Sequence, residues 1–351
     1  NLYNNLYNIK FNDIMHGFKL ESIKEIKDLS SILYEFKHIK SGGNLIYLEN
    51  DDTNKVFFYG FKTLPNDSTG VPHIIEHSVL CGSDKFPLKE PFVNLIKGSM
   101  NTFLNALTAQ DWTMYPIASV DDKDFDNLFK VYIDAVLSPL SIKDEKPFLQ
   151  EGWHIEMHNK DDIPSINGVV YNEMKGAMSD VDEILSESTL EAFYENSGYG
   201  VNSGGDPDFI PSLTYEDYKK FYKDHYNPSN GLIYFYGKMD IEEKLKYIDE
   251  EYLSKYEYSK PTEIVIPKKV IKNNVVKEFS IGEEDEIENN SHFSLTFALD
   301  KLDNVLELNA FQILDSVLMS SNESPLKKKI MDSKLGINFQ SRINDGSIIP
   351  S

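Results

Sequence analysis

The stretch His73-Ile74-Ile75-Glu76-His77 places two histidines four residues apart, with a glutamate directly before the second. Pro72 precedes it, and proline is tolerated in the first turn of a helix. On a helix, residues i and i+4 lie on one face, so both imidazoles can reach a single metal ion. Glu76 lies beside that face, where its carboxylate can reach a metal-bound water without being a ligand. The pattern therefore predicts metal-assisted hydrolysis, with the histidines and glutamate in the inverzincin order.

A catalytic zinc ion normally takes three protein ligands, and spacing alone does not name the third. Glu151, Glu156 and Glu173 are all acidic residues in the right region of the chain. Glu173 is the best placed of the three, because residues 168–179 are predicted to be helical and a second helix could aim a carboxylate at the metal. A helix with one buried histidine and a solvated His–Glu pair is the alternative without a metal.

Two other features could carry chemistry. His154-Ile-Glu156-Met-His158 also pairs two histidines around a glutamate, but its polar residues alternate with apolar ones. That period is typical of a strand, so we expect a sheet face there rather than a metal site. Cys81 is the single cysteine, which excludes a disulfide within the chain and gives no indication of secretion. A thiol nucleophile at Cys81 remains the alternative.

The composition excludes several classes of function. The net charge of −22 argues against binding nucleic acid, because phosphates would be repelled, and it is compatible with basic substrates. No run of 18 or more apolar residues occurs, so no transmembrane helix and no membrane partner are expected. The N-terminal Asn-Leu-Tyr-Asn-Asn lacks a methionine and a secretion signal. We therefore expect a fragment or a processed form.

Strand and helix signals are mixed without strict βαβ alternation. Residues 30–63 are rich in β-branched and aromatic residues between turn signals, whereas residues 121–136 have a helical period. We therefore expect an α+β fold, with a layered, mostly antiparallel sheet and packed helices. The predicted organisation is a first domain over residues 1–253, a linker over 254–272, and an incomplete second domain over 273–351 with strands at 275–280 and 291–299 and a helix near 305–319.

The chain resembles the pitrilysin-type (M16) zinc peptidases, and among them the presequence protease and falcilysin branch. The resemblance runs from about residue 30 to residue 240 and implies an M16 or LuxS-like metallohydrolase domain, followed by the start of a second similar domain. It rests on the stretches Gly70-Val-Pro-His-Ile-Ile-Glu-His-Ser-Val-Leu-Cys-Gly-Ser83, Lys85-Phe-Pro-Leu-Lys-Glu-Pro-Phe92, Met100-Asn-Thr-Phe-Leu-Asn-Ala-Leu-Thr-Ala109, Gly168-Val-Val-Tyr-Asn-Glu-Met-Lys-Gly176, Ser203-Gly-Gly-Asp-Pro207 and His225-Tyr-Asn-Pro-Ser-Asn230.

The resemblance implies roles for individual residues. His73, His77 and Glu173 would hold one Zn²⁺ per chain, and Glu76 would be the general base that activates a zinc-bound water. Two further sets would bind substrate, the first as an edge strand to which the peptide adds and the second as a side-chain pocket. These sets are Asn105, Ala106 and Leu107 for the edge, and Leu80, Phe92, Val93 and Ile96 for the pocket. For the second set, the apolar face of two helices is the alternative interpretation.

The expected activity is that of a zinc metalloendopeptidase acting on unstructured, presequence-like oligopeptides. Members of this branch are considerably longer, and their second half supplies an Arg and a Tyr that help hold substrate and the oxyanion. The expected partners are thus peptide substrates and a missing C-terminal half, and the fragment alone should cleave poorly. A non-catalytic M16-like scaffold and a processing-peptidase subunit are the alternatives. The expected compartment is the cytoplasm of a bacterium, or the mitochondrial matrix or another organelle of a eukaryote.

Overall fold

The computed structural model describes residues 9–88, 91–265, 274–284, 287–288, 290–297, 299 and 304–343. The chain divides into two compact units, residues 1–180 with 197–265 and residues 181–196 with 266–351. The first half of the predicted linker belongs to the first unit, where the Thr262 N–H donates to the Asn230 side chain over 2.9 Å. Residues 266–272 of that linker lie outside the described residues. The division at 253 and 273 stays a prediction.

Most strands of the first unit form one sheet. The strands among the described residues are β1 (Ile14–Met15), β2 (Phe18–Ile26), β3 (Ser31–His38), β4 (Asn44–Glu49), β5 (Lys55–Lys62), β6 (Asn101–Leu104), β7 (Leu107–Thr108), β8 (Trp112–Ser119), β9 (His154–Glu156), β10 (Ser165–Asn167) and β11 (Gly231–Tyr236). Nine of them form a sheet in the order β1-β2-β3-β4-β11-β5-β8-β6, with β7 also paired to β8. Neighbours run antiparallel except β4 and β11, which are parallel. Strands β9 and β10 form a separate hairpin.

Helices pack on the sheet of the first unit, and the second unit has helices of its own. Those among the described residues are α1 (Val71–Val79), α2 (Pro91–Gly98), α3 (Asp122–Leu137), α4 (Lys146–Glu151), α5 (Val169–Ala177), α6 (Val181–Tyr194), α7 (Tyr215–His225), α8 (Ile241–Glu251), α9 (Val305–Met319) and α10 (Pro325–Asp332). Side chains cap several of their N-termini. Asp121 accepts from the Asp124 N–H at α3, and Thr214 accepts from the Asp217 N–H at α7.

The core lies between the sheet and these helices. Along β5, Phe57, Tyr59 and Phe61 are buried at alternate positions, which is the period of a strand. The Phe57 ring meets the edge of Phe129 on α3, with 5.0 Å between ring centroids. Burying one phenylalanine side chain is worth roughly 1.5–3 kcal/mol, so this face holds the helical layer firmly on the sheet. The predicted α+β fold with a mostly antiparallel sheet is confirmed.

The second unit differs from the prediction in its strands. Helix α9 is present as expected and packs against α10. The predicted strands at 275–280 and 291–299 are wrong, because the described residues there have no strand assignment. Val276 and Phe293 are 88% and 86% exposed. A strand needs a neighbour to bond with, and the described part of this unit offers no second strand.

Candidate metal centre

Helix α1 is anchored by its apolar residues. Ile74, Ile75 and Val79 are fully buried in the core. His73 and His77 lie on the more exposed side of the helix and remain partly buried, with 12% and 25% of their side chains exposed. Their ring centroids are 4.9 Å apart, as expected for residues one turn apart. The local period of the sequence therefore places both imidazoles on one face.

The fold brings a third possible ligand to these two histidines. Glu173, on α5, has its Oε2 atom 3.7 Å from Nε2 of His73 and 3.7 Å from Nε2 of His77. One ligand atom from each of the three residues lies within 4.8 Å of the others. Among the described residues, this is the group of histidine, cysteine and carboxylate side chains that could hold a metal ion. It is the set that the sequence predicted.

The second nitrogen of each ring has a partner that sets its orientation. Nδ1 of His73 lies 2.9 Å from the Gly204 carbonyl, and Nδ1 of His77 lies 3.2 Å from the Glu151 carboxylate. Both partners are acceptors, so in the neutral form of each imidazole Nδ1 carries the proton and Nε2 keeps its lone pair. The two lone pairs are thereby available beside the Glu173 carboxylate. Two neutral imidazoles, held in orientation by Gly204 and Glu151, and one carboxylate form a donor set that fits zinc.

The Gly204 carbonyl reaches His73 because glycines allow two backbone segments to touch. Gly70, directly before α1, has φ of +69°, which favours glycine. A Cβ atom on Gly70 would lie 2.7 Å from the Gly204 oxygen and 2.8 Å from Cα of Gly205. The Ser203-Gly204-Gly205-Asp206 stretch of the sequence therefore supplies a main-chain acceptor to the centre. Sequence reasoning noted this stretch but missed its role.

Glu151 was a candidate third ligand, and the structure places it behind His77 instead. It is buried on α4 and accepts hydrogen bonds from His77, Gln150 and Cys81. Burial opposes its charge, but these donors outweigh burial and lower the pKa of the Glu151 carboxyl. For His77, burial also opposes the charge, yet the Glu151 hydrogen bond and the nearby carboxylates raise its pKa. The surroundings of His77 thus favour a positive charge, whether a proton or a metal ion.

Glu156, the other candidate, lies on the hairpin of β9 and β10. Its carboxylate accepts from the Asn167 side chain over 2.7 Å. His154 directs Nδ1 to the Leu149 carbonyl over 2.7 Å, and His158 is 78% exposed. The polar residues of this motif do alternate along a strand. They form no group that could hold a metal among the described residues.

Glu76 points into the protein beside a group of tyrosines. It is 8% exposed, although it lies on the same helix as the two histidines. Burial raises the pKa of Tyr115, Tyr132 and Tyr226, and the negative charge of Glu76 raises each of them further. The negative charge of Glu76 therefore acts on three buried tyrosine hydroxyl groups, and Glu76 directly precedes His77 in the chain.

The predicted substrate-binding residues lie in two places. Asn105 and Ala106 fall between β6 and β7, and Leu107 begins β7, along the edge of the sheet next to β8. Leu80 and Phe92 are partly buried against the core, whereas Ile96 is 51% exposed. The side chain of Val93 lies outside the described residues. Their predicted roles in substrate binding stay predictions.

Comparison with known proteins supports the resemblance seen in the sequence. Residues 212–348 match the family profile described as "Peptidase M16 inactive domain". "Presequence protease 1, chloroplastic/mitochondrial" of Arabidopsis thaliana is 43% identical over 326 residues, covering 91% of this chain and 30% of that protein. The mitochondrial presequence protease of Danio rerio is 37% identical over 341 residues, covering 95% of this chain and 33% of that protein. The chain is an M16 relative of the presequence protease branch.

The chain is also similar to a further curated protein and to a solved structure. "Protein HypA" of Clostridium perfringens is 46% identical over 332 residues, covering 94% of this chain and 34% of that protein. The crystal structure of pitrilysin matches 73% of this chain and 26% of its own, with a TM-score of 0.56 and 17% identity, which shows a shared fold. The chain thus spans about a third of the length of its curated M16 relatives. In the described residues, no helix has the length and apolar character needed to cross a bilayer.

The M16 profile and the metal centre occupy different parts of the chain. The matched residues 212–348 begin after Glu173, so they include none of the three possible ligands. The word "inactive" in the profile description therefore applies to the part of the chain that follows the centre.

Proposed function

We propose that this chain carries the zinc-binding centre of an endopeptidase that hydrolyses unstructured oligopeptides. The observation that carries the proposal is the convergence of His73, His77 and Glu173, with both histidines oriented through Nδ1. A scaffold protein would gain nothing from holding two imidazole lone pairs toward one carboxylate. The presequence proteases among its relatives support peptides as the substrate class.

In this proposal His73, His77 and Glu173 would hold the metal ion. When bound, a zinc ion supplies a Lewis acid that polarises a carbonyl and lowers the pKa of water. Gly204 and Glu151 keep the imidazole rings in the orientation that binding requires. The two histidines differ in their Nδ1 partners. His77 donates to an ionised carboxylate, that of Glu151, whereas His73 donates to a neutral main-chain carbonyl, that of Gly204.

Glu76 is the proposed general base. Its carboxylate lies next to His77 on α1 and would accept a proton from the attacking water. It would then donate that proton to the amine released when the peptide bond breaks. Because Glu76 is 8% exposed, its carboxylate has little contact with bulk water.

The substrate and the compartment are also proposals, and both rest on the names of the relatives. Presequences are named as substrates of the relatives, and the acidic charge of this chain favours basic peptides of that type. The mitochondrial names of several relatives support an organelle if the source is eukaryotic. The rest of the active enzyme would come from polypeptide equivalent to the remaining two thirds of the relatives' length.

The test is the Glu76→Gln substitution in the full-length protein. We expect cleavage of a quenched fluorescent, unstructured peptide to fall by at least about 100-fold, with zinc content by mass spectrometry unchanged. Glu156→Gln is the matched control, because Glu156 lies on the β9–β10 hairpin and is not in the group of side chains that could hold a metal ion, and its activity should equal that of the parent. Unchanged turnover in Glu76→Gln would remove Glu76 as the base. A full-length parent without zinc or activity would favour the non-catalytic scaffold.

A further inference from the structure

Strands β6 and β7 form an edge of the sheet, called here the open edge because no described strand pairs with their outer side, and their pairing with β8 is interrupted at a proline. Leu104 pairs with Ile117 and Leu107 pairs with Met114, so the same register sets Asn105 opposite Pro116. The Asn105 N–H donates to the Pro116 carbonyl over 3.2 Å. In an antiparallel ladder the reverse bond would run from residue 116 to the Asn105 carbonyl. Proline has no N–H, so the ladder cannot provide that bond.

Tyr132 provides a donor in its place. Its hydroxyl lies 3.1 Å from the Asn105 carbonyl, which is the atom that Pro116 leaves without a ladder partner. Tyr132 is 1% exposed and belongs to α3, a helix anchored against the sheet through Phe129. Burial, and after it the charge of Glu76, holds the pKa of Tyr132 well above its usual range. The hydroxyl therefore keeps its proton and serves as a permanent donor.

This bond sits at the point where the edge approaches the proposed metal centre. Successive residues of a strand direct their main-chain groups to opposite sides, and those of Asn105 face β8. The main-chain groups of Ala106 therefore face the open edge, where its N–H donates to the Asn105 side chain over 3.0 Å. Helix α1, which carries His73, Glu76 and His77, packs against β7. An exposed edge beside a peptidase centre is suited to the addition of a peptide as a further strand.

We propose that Tyr132 is a positioning residue for peptide binding: its hydroxyl replaces the missing N–H of Pro116 and holds Asn105 and Ala106 in the register that presents the open edge. The inference rests on the proposed peptidase function. Without the hydroxyl, the Asn105 carbonyl would turn toward water, and the edge between β6 and β7 would lose its alignment.

The experiment measures peptide affinity in the full-length protein. All variants carry Glu76→Gln so that the peptide is not cleaved, and fluorescence anisotropy of a labelled unstructured peptide gives Kd. Tyr132→Phe should weaken binding by roughly five- to tenfold, the effect of one hydrogen bond, with zinc content unchanged. Adding Pro116→Ala to Tyr132→Phe restores an N–H facing the Asn105 carbonyl, and should recover most of the lost affinity.

Tyr222→Phe is the matched control. The Tyr222 hydroxyl also donates to a main-chain carbonyl, that of Val136 over 2.7 Å, on a helix rather than at the sheet edge. Its removal should leave Kd unchanged. The inference is overturned if Tyr132→Phe binds peptide as the parent does, if Pro116→Ala brings no recovery, or if Tyr222→Phe weakens binding equally.

Two remaining outcomes are also decisive. If Tyr132→Phe alone does not fold, a folded and peptide-binding double variant supports the inference, and an unfolded one overturns it. If the parent binds no peptide at all, both the proposed function and this inference are rejected. Unchanged affinity in Tyr132→Phe, by contrast, removes the inference and leaves the proposed function in place.

Discussion

Glu151 and Gly204 show how single residues act on the metal centre without being ligands. Each accepts a hydrogen bond from Nδ1 of one histidine, at 3.2 Å for His77 and 2.9 Å for His73. Such partners fix the ring orientation and increase the basicity of the opposite nitrogen. Glu151 acts through a charged side chain, whereas Gly204 acts through its main-chain carbonyl. A nearly isosteric substitution can therefore remove only the contribution of Glu151.

Replacing Glu151 with Gln should weaken zinc binding by roughly 10–100-fold. The amide keeps the size of the side chain but loses the charge that supports His77. Titration of the purified protein against a competing zinc chelator measures the change, and Glu156→Gln serves as the control of equal charge. If both variants bind zinc equally well, the orienting role assigned to Glu151 is incorrect.

At the scale of elements, the centre depends on three helices and one loop that meet at the start of α1. Helix α4 supplies Glu151, α5 supplies Glu173, and both pack against α1. The loop that contains Gly204 and Gly205 packs on Gly70, where a Cβ atom would meet backbone at 2.7 Å and 2.8 Å. This contact has no flexible side chain that could move aside. The position of Gly70 therefore controls the whole arrangement.

A Gly70→Ala substitution should destabilise the chain by about 1–3 kcal/mol or more, because it adds left-handed strain to a backbone clash. It should also weaken zinc binding, since the Gly204 carbonyl would be pushed away from His73. Urea unfolding with and without zinc measures both effects.

Gly176 provides the matched control on a neighbouring helix. A Cβ atom there meets nothing within 4 Å, so Gly176→Ala should leave zinc binding unchanged and stabilise α5 by about 0.5–1 kcal/mol. Equal effects at Gly70 and Gly176 would contradict the packing argument.

At the scale of the whole molecule, the chain spans about a third of the length of its relatives, yet the complete candidate metal site lies in its first unit. Helix α9 of the second unit has no buried residue among those described, although its sequence is largely apolar. Leu306 and Ile313 are 84% and 66% exposed. We therefore expect metal binding to need less polypeptide than peptide cleavage.

We expect the isolated 351-residue chain to bind about one zinc ion but to cleave an unstructured peptide at least about 100-fold more slowly than the full-length protein. The reason is that donors to the developing oxyanion, each worth about 100- to 1,000-fold, would come from polypeptide equivalent to the other two thirds of the relatives' length. Parallel measurements of zinc content and peptide turnover on the two proteins test this. Efficient cleavage by the isolated chain would contradict it.

The sequence by itself determined the parts of this protein that depend on local periodicity. The i, i+4 spacing of His73 and His77 predicted a helix with both imidazoles on one face, and the β-branched and aromatic content of residues 30–63 predicted sheet strands. These predictions succeeded because helix and strand geometry is set within a few residues. The predictions of strands at 275–280 and 291–299 were wrong because a strand depends on more than its own residues. It also requires a neighbouring strand to pair with.

Only the tertiary structure decided the contacts between distant residues. Glu151 and Glu173 were both plausible third ligands by sequence, and the packing of α4 and α5 against α1 placed one behind His77 and the other between the two Nε2 atoms. Likewise, nothing in the local sequence connects Tyr132 with Pro116. Their relation depends on strand register, and register is set by the pairing of segments far apart in the chain.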